Sequence, residues 1–130
     1  MFYSDNKTYR GIMLEFKFEV RDPIYGFIPF TVLEQKVISD PAFQRLRRIG
    51  QLALTHYIYP GATHTRFSHS LGVMHMASLM FDSIVNSSRE SLREEFGFND
   101  GTIDIMHQTV RLAALLHDIG HGPFSHASES

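Results

Sequence analysis

From Gly101 to Leu116 the chain sets Ile103, Met106, Val110 and Ala114 at helical spacing, then runs directly into an adjacent histidine and aspartate, His117-Asp118. Gly120, Gly122 and Pro123 break the helix just beyond. An unpaired carboxylate costs several kcal/mol to bury, so one at the end of an apolar stripe is normally paired or bound to a metal. Another histidine, His69, lies in a second helical segment, Thr65 to Val85. There Phe67, Leu71, Met74, Ser78, Phe81 and Val85 form a stripe that Val73, Ala77, Met80 and Ile84 widen. A helix apolar over most of its circumference is expected at the centre of a bundle. His69 shares a face with Gly72, Val73 and Met76, and His117 continues the stripe of Met106, Val110 and Ala114, so both imidazoles are predicted to point inward. Two such rings can meet over one ion, with Asp118 adding a hard oxygen. Mixed imidazole and carboxylate ligation suits Zn, Mn, Fe or Ni. Such an ion polarises a phosphoryl oxygen and acidifies water, which points to hydrolysis. The alternative for either histidine is a hydrogen-bonded core residue; the adjacent His-Asp pair followed by a histidine-bearing glycine turn weighs toward the metal.

Composition bounds the rest. With 130 residues and 43% hydrophobic residues the chain suits one globular domain and excludes a disordered one. A net charge of −2 argues against a strong polyanion binder, and the absence of cysteine removes disulfides, zinc-thiolate sites and cysteine nucleophiles together. Met1 to Arg10 is polar, without the apolar core of a signal peptide, and no apolar run approaches the ~18 residues of a membrane span. The expectation is a cytoplasmic protein, nuclear in a eukaryote, with no membrane partner. Histidine is the outlier: all eight lie between His56 and His126. There is no His-Glu-x-x-His, Gly-x-Ser-x-Gly or P-loop, so other hydrolytic chemistries fit poorly.

The expected architecture is mainly α with a small β-hairpin at the N-terminal side. Leu14 to Val20 alternates apolar and polar residues, Asp22-Pro23 and Gly26 supply a turn, and Phe27 to Phe30 returns. The hairpin is placed at residues 14–30 and the helical part at 31–130. Thr31 and Glu34 fit a capping box for a helix to about Ile38. Asp40-Pro41 restarts the chain as cap and first-turn proline, and one helix is expected from Pro41 to Ile49, stopping at Gly50. Asn86 to Asp100 reads as a polar, loop-like stretch with room for a short helical turn near Leu92, and Asn99-Asp100 as the cap of the last helix.

Several ordered stretches then carry a resemblance: Asp22-Pro23-Ile24-Tyr25-Gly26, Phe43-Gln44-Arg45-Leu46-Arg47-Arg48-Ile49, Pro60-Gly61-Ala62-Thr63-His64, Arg66-Phe67-Ser68-His69-Ser70-Leu71-Gly72-Val73, and Leu116-His117-Asp118-Ile119-Gly120-His121-Gly122-Pro123-Phe124-Ser125-His126. Over Phe18 to His126 the chain resembles the HD-domain phosphohydrolases, in particular the SAM-and-HD-domain-like deoxynucleoside triphosphate triphosphohydrolase branch. That resemblance implies an HD-domain helical bundle and a divalent ion (Mn, Fe, Zn, Ni or Mg). It implies His69, His117 and Asp118 as three of four metal ligands. His121 and His126 would face the substrate phosphates, with His126 as general acid for the leaving 5′ oxygen. Arg66 would contact the α-phosphate, and Gln51 and Leu52 would lie beside sugar and base. The implied reaction is attack of water at the α-phosphorus of a dNTP, releasing a deoxynucleoside and triphosphate. Gln44 and Arg47 match positions of a guanine nucleotide effector site, although Ser39 stands where that site has an aspartate.

The resemblance places the fourth metal ligand, an aspartate, well downstream of the His-Asp pair, whereas the sequence ends four residues after His126. The expectation is therefore a truncated HD domain with three protein ligands and exposed apolar helix faces, completed by homo-oligomerisation or by association with a complementing chain. Two functions follow: a metal-dependent phosphohydrolase, or an incomplete HD fragment that binds nucleotide, nucleic acid or protein.

Overall fold

The computed structural model describes residues 14–122. Strand β1 (Phe16–Asp22) and strand β2 (Gly26–Thr31) form an antiparallel hairpin, with Val20 opposite Ile28 and Asp22 opposite Gly26. Its turn is tied by Asp22, whose Oδ1 accepts from the amides of Ile24 (2.8 Å) and Tyr25 (3.0 Å), while Gly26 takes a φ of 78° that L side chains rarely adopt. Helix α1 (Val32–Ser39) opens with the expected capping box: the Glu34 amide donates to Thr31 Oγ1 and the Thr31 amide to Glu34 Oε2. Asp40 caps α2 (Pro41–Gln44), with Pro41 at its start.

The expected helix from Pro41 to Ile49 is instead split. After Gln44 the chain tightens into a 3-10 turn, Arg45–Arg48. Winding at three residues per turn stacks Phe43, Leu46 and Ile49 on one side, and all three are buried. A second short 3-10 turn, Thr55–Tyr57, lies in the loop that follows.

Helix α3 (Arg66–Glu94) extends well past its expected end at Val85 and absorbs most of the predicted polar loop. Ser87 stays satisfied inside the helix, its Oγ donating to the carbonyl oxygens of Ser83 (2.9 Å) and Ile84 (3.0 Å). Such back-bonding bends helices, and the kink falls next door, where Ser88 leaves helical geometry (φ −123°, ψ 16°). Beyond it Leu92 still packs inward while Arg89 and Arg93 reach Asp100 at the start of α4 (Asp100–Leu116). Asn99 caps α4 through Thr102. α3 and α4 run antiparallel, with the N-terminus of α3 beside the C-terminus of α4.

The main core lies at that shared end, where Ile28, Phe30, Phe43, Leu46, Phe67, Leu71, Met74 and Leu115 pack together. A second, smaller cluster of Val85 and Ile103, with Phe81, Leu92, Phe98 and Leu14 around it, occupies the far end. Two expectations about burial change. α3 is not enclosed among the described residues: Met76, Leu79, Met80 and Ile84 are exposed. The buried stripe of α4 is Ile103, His107, Arg111 and Leu115, while Met106 and Val110 face outward. Polar residues occupy the inner face because each finds a partner there. Arg111 donates to Glu34 through Nε (2.7 Å to Oε1) and NH2 (2.9 Å to Oε2) and to the Pro29 carbonyl (2.8 Å). Gln108 adds a bond to Glu34 Oε1, and His107 Nε2 lies 2.7 Å from Ser78 Oγ with its ring stacked on Phe81. Gly72 on α3 meets Tyr25 of the hairpin turn so closely that a Cβ there would lie 3.0 Å from the ring.

Candidate metal centre

The site is assembled from two helix ends. Thr65 caps α3 reciprocally with Ser68, which fixes Arg66 as the first helical residue and His69 one turn on. At the other end α4 gives way after Leu116 to a turn closed by Ile119 N–H to Leu116 O and His121 N–H to Asp118 O (both 3.1 Å). That turn places His117 and Asp118 against the first turn of α3.

Asp118 is the hub and is buried; His69 and His117 are not the inward-facing rings that sequence spacing suggested. Their side chains remain 33% and 36% exposed, against 8% for Asp118. They line an open rim because Asp118, not His117, falls in line with the buried stripe of α4. One ligand atom from each of His69, His117 and Asp118 lies within 4.8 Å of the others, and the two rings meet edge to face at 5.2 Å.

The two carboxylate oxygens have different neighbours. Oδ2 accepts from Arg66 NH1 at 2.6 Å, with His69 Nε2 3.8 Å away. Oδ1 faces His117 Nε2 at 3.4 Å and His121 Nε2 at 3.5 Å. Burial by itself would push the Asp118 carboxyl up. The hydrogen bond from Arg66, with electrostatic interactions with His117, the Arg66 guanidinium and His121, outweighs it and holds the group below its usual range. Burial likewise lowers the His69 pKa, opposed by Asp118 and reinforced by His117, Arg66 and His64, which favours the neutral ring that ligation needs.

The donor set fits a cation. His117 Nδ1 lies 2.7 Å from the Ala114 carbonyl oxygen. A carbonyl only accepts, so the neutral ring carries its proton on Nδ1 and presents a lone pair at Nε2. That lone pair faces an ionised carboxylate oxygen, which also only accepts. Two acceptors in contact call for positive charge between them, which a proton or a metal ion supplies, and ligands of one ion with bonds of about 2–2.2 Å sit at such separations.

The other sequence-predicted residues fall as follows. His121 joins the cluster. Arg66 is buried and engaged with Asp118. Gln51 sits beside the start of α3, its amide donating to the His64 carbonyl (3.0 Å) and its buried Oε1 without a hydrogen-bond partner among the described residues. Leu52 is about half exposed, at 47%. Gln44 and Arg47 bond to each other (2.7 Å), and the Arg47 guanidinium lies 3.6 Å over the Phe67 ring. His126 lies outside the described residues. Sequence reasoning gave no site role to Arg45, whose guanidinium reaches the Ile119 and His121 carbonyls. The Arg-rich segment was visible, but nothing in the sequence said which arginine turned inward.

Among the described residues no helix is long and apolar enough to cross a membrane. Residues 66–130 match the HD domain family. The chain is 43% identical over 107 residues to the deoxynucleoside triphosphate triphosphohydrolase SAMHD1 of Bos taurus, covering 82% of this chain and 17% of that protein. The corresponding protein of Mus musculus is 44% identical over 105 residues, covering 81% and 15%. An uncharacterized protein of Methanocaldococcus jannaschii is 41% identical over 110 residues, covering 85% and 20%. The chain thus spans only a minor part of the length of these relatives. With a matching family model over the segment that bears both halves of the His/His-Asp cluster, the chain belongs to the HD-domain family.

Proposed function

We propose that this chain carries the metal centre of a phosphohydrolase that acts on deoxynucleoside triphosphates at the α-phosphorus. The observation that carries the proposal is the facing pair of acceptors, His117 Nε2 and Asp118 Oδ1, with His69 closing the set. His69, His117 and Asp118 would hold a divalent ion, which when bound polarises a phosphoryl oxygen and acidifies water. Arg66 keeps Asp118 ionised and oriented by holding Oδ2, leaving Oδ1 toward the rim. His121 stands on that rim, where an imidazole can donate to a phosphate oxygen. Water adds to the α-phosphorus, the bond to the 5′ oxygen breaks, that oxygen takes up a proton, and deoxynucleoside and triphosphate leave. The substrate class rests on the triphosphohydrolases that the chain resembles.

The test is a Mn²⁺ titration of the whole chain followed by a dNTP assay read as triphosphate and deoxynucleoside. Paired His117→Ala and Asp118→Ala substitutions are expected to abolish both metal uptake and turnover; unchanged metal uptake in that variant refutes the site. A second reading, a nucleotide- or protein-binding module, is favoured by the exposed Met76, Met80 and Ile84 of α3 and Ile105 of α4. It predicts a metal-loaded chain that binds dNTP without turnover.

A further inference from the structure

The His117-to-Gly122 turn follows a helix end, where carbonyl groups lack intrahelical donors. Two of the carbonyls in this turn are taken by a side chain more than seventy residues upstream. Arg45 NH2 donates to the Ile119 oxygen (2.5 Å) and Arg45 NH1 to the His121 oxygen (3.1 Å). The bonds flank Gly120, so the guanidinium bridges the turn from which Asp118 and His121 project.

Arg45 is itself held from below. It opens the 3-10 turn Arg45–Arg48, anchored by the fully buried Phe43 and Leu46. The next residue of that segment, Ile49, accepts through its carbonyl from the Arg66 amide (2.9 Å), and Gly50 bridges to Thr65. One short segment therefore grips both halves of the site: its first residue holds the turn bearing Asp118 and His121, and its end holds the first turn of α3, from which Arg66 and His69 project. No other described segment bonds to the backbone of both.

We propose that Arg45 is a positioning residue for the metal centre, setting the separation of the His117-Asp118-His121 turn from the Arg66-His69 turn. The inference rests on the metal-site reading above and adds a residue that touches neither ion nor substrate. A guanidinium can bridge two carbonyls at once, whereas a lysine ammonium on its flexible stem cannot reproduce the fixed fork. Groups that orient ligands from outside the coordination sphere typically change metal affinity 10- to 100-fold when removed.

The experiment uses the whole chain and the variants Arg45→Ala, Arg45→Lys and Asp118→Ala. Amide hydrogen exchange without metal reads the clamp, and Mn²⁺ titration reads its effect on the site. For Arg45→Ala we expect exchange at Ile119 to Gly122 to rise at least about tenfold while α4 before Leu116 is unchanged, and Mn²⁺ affinity to fall roughly 10- to 100-fold, with Arg45→Lys intermediate in both. Unchanged exchange refutes the clamp. Faster exchange with Mn²⁺ affinity within about twofold of the parent refutes the positioning role and leaves only a helix cap. If the parent chain and Asp118→Ala both fail to take up Mn²⁺, the metal-site reading fails and the positioning role falls with it, while the exchange data still judge the clamp.

Discussion

Glu34 and Arg111 form an ion pair whose side chains are 0% and 1% exposed, joining α1 to α4 across 77 positions of sequence. Glu34 accepts four hydrogen bonds in all, from the Thr31 amide, Gln108 and two Arg111 nitrogens. Replacing Glu34 with alanine removes these acceptors and strands a guanidinium in the interior. Breaking a buried pair from one side costs about 3–5 kcal/mol. For a domain of this size each kcal/mol lowers Tm by roughly 3–5 °C, so the midpoint should fall by roughly 10–25 °C. The double variant Glu34→Leu/Arg111→Met removes both charges and keeps the volume, and should lie within about 2 kcal/mol of the parent. Urea unfolding of the three proteins, extrapolated linearly, gives both differences. A Glu34→Ala loss below about 1 kcal/mol, or a double variant no more stable than the single one, would refute the reasoning that the loss comes from a buried guanidinium stranded without its partner.

Three further outcomes are expected. Burial, with Arg111 nearby and Glu34 opposing, lowers the His107 pKa to about 4, while Asp82 faces its Nδ1 at 3.6 Å. The unfolded ring, near 6.5, binds its proton more tightly, so the contribution is complete above about pH 6.5 and is lost as pH falls toward 4, about 3 kcal/mol in total. His107→Gln, which can keep the Ser78 bond, should flatten the acid limb of a Tm-versus-pH curve between those values. Thr65→Ala breaks the capping box of α3 and should lower unfolding free energy by about 1 kcal/mol in urea titration. Arg47→Ala removes a cation from the Phe67 ring and the bond to Gln44, and should destabilise by about 0.5–1 kcal/mol in the same assay.

Local signals in the sequence marked most element starts. Thr31, Asp40 and Asn99 each cap a helix as their local sequence indicated, because caps act within three residues, and Thr65, near the expected start of α3, caps it although no cap was read there. The His/His-Asp cluster was also legible, since residue type and helix-end position together narrow the chemistry. What failed was the inference from apolar spacing to burial on α4. Met106 and Val110 look like the inner stripe, yet His107 and Arg111 take that place through Ser78 and Glu34, which lie 29 and 77 residues away. A partner so distant leaves no periodic trace. The end of α3 was missed for a similar reason: Asn86 to Glu95 is polar except for Leu92, which alone, seven residues after Val85, continues the stripe. The 3-10 turn was hidden because Phe43, Leu46 and Ile49 fit a three-residue period about as well as a helical one over so short a run.

The two hydrophobic clusters differ in size, and both line the same pair of antiparallel helices. Such a ladder opens from its weaker rung. The tip around Val85, Leu92 and Ile103, already bent at Ser88, can unzip in a partial excursion that leaves Phe67, Leu71 and Leu115 in place. Protection from solvent should therefore be graded along α3, low near Glu94 and approaching the global limit near Leu71. The rim bearing His69 and Asp118 belongs to the half of the molecule that comes apart last.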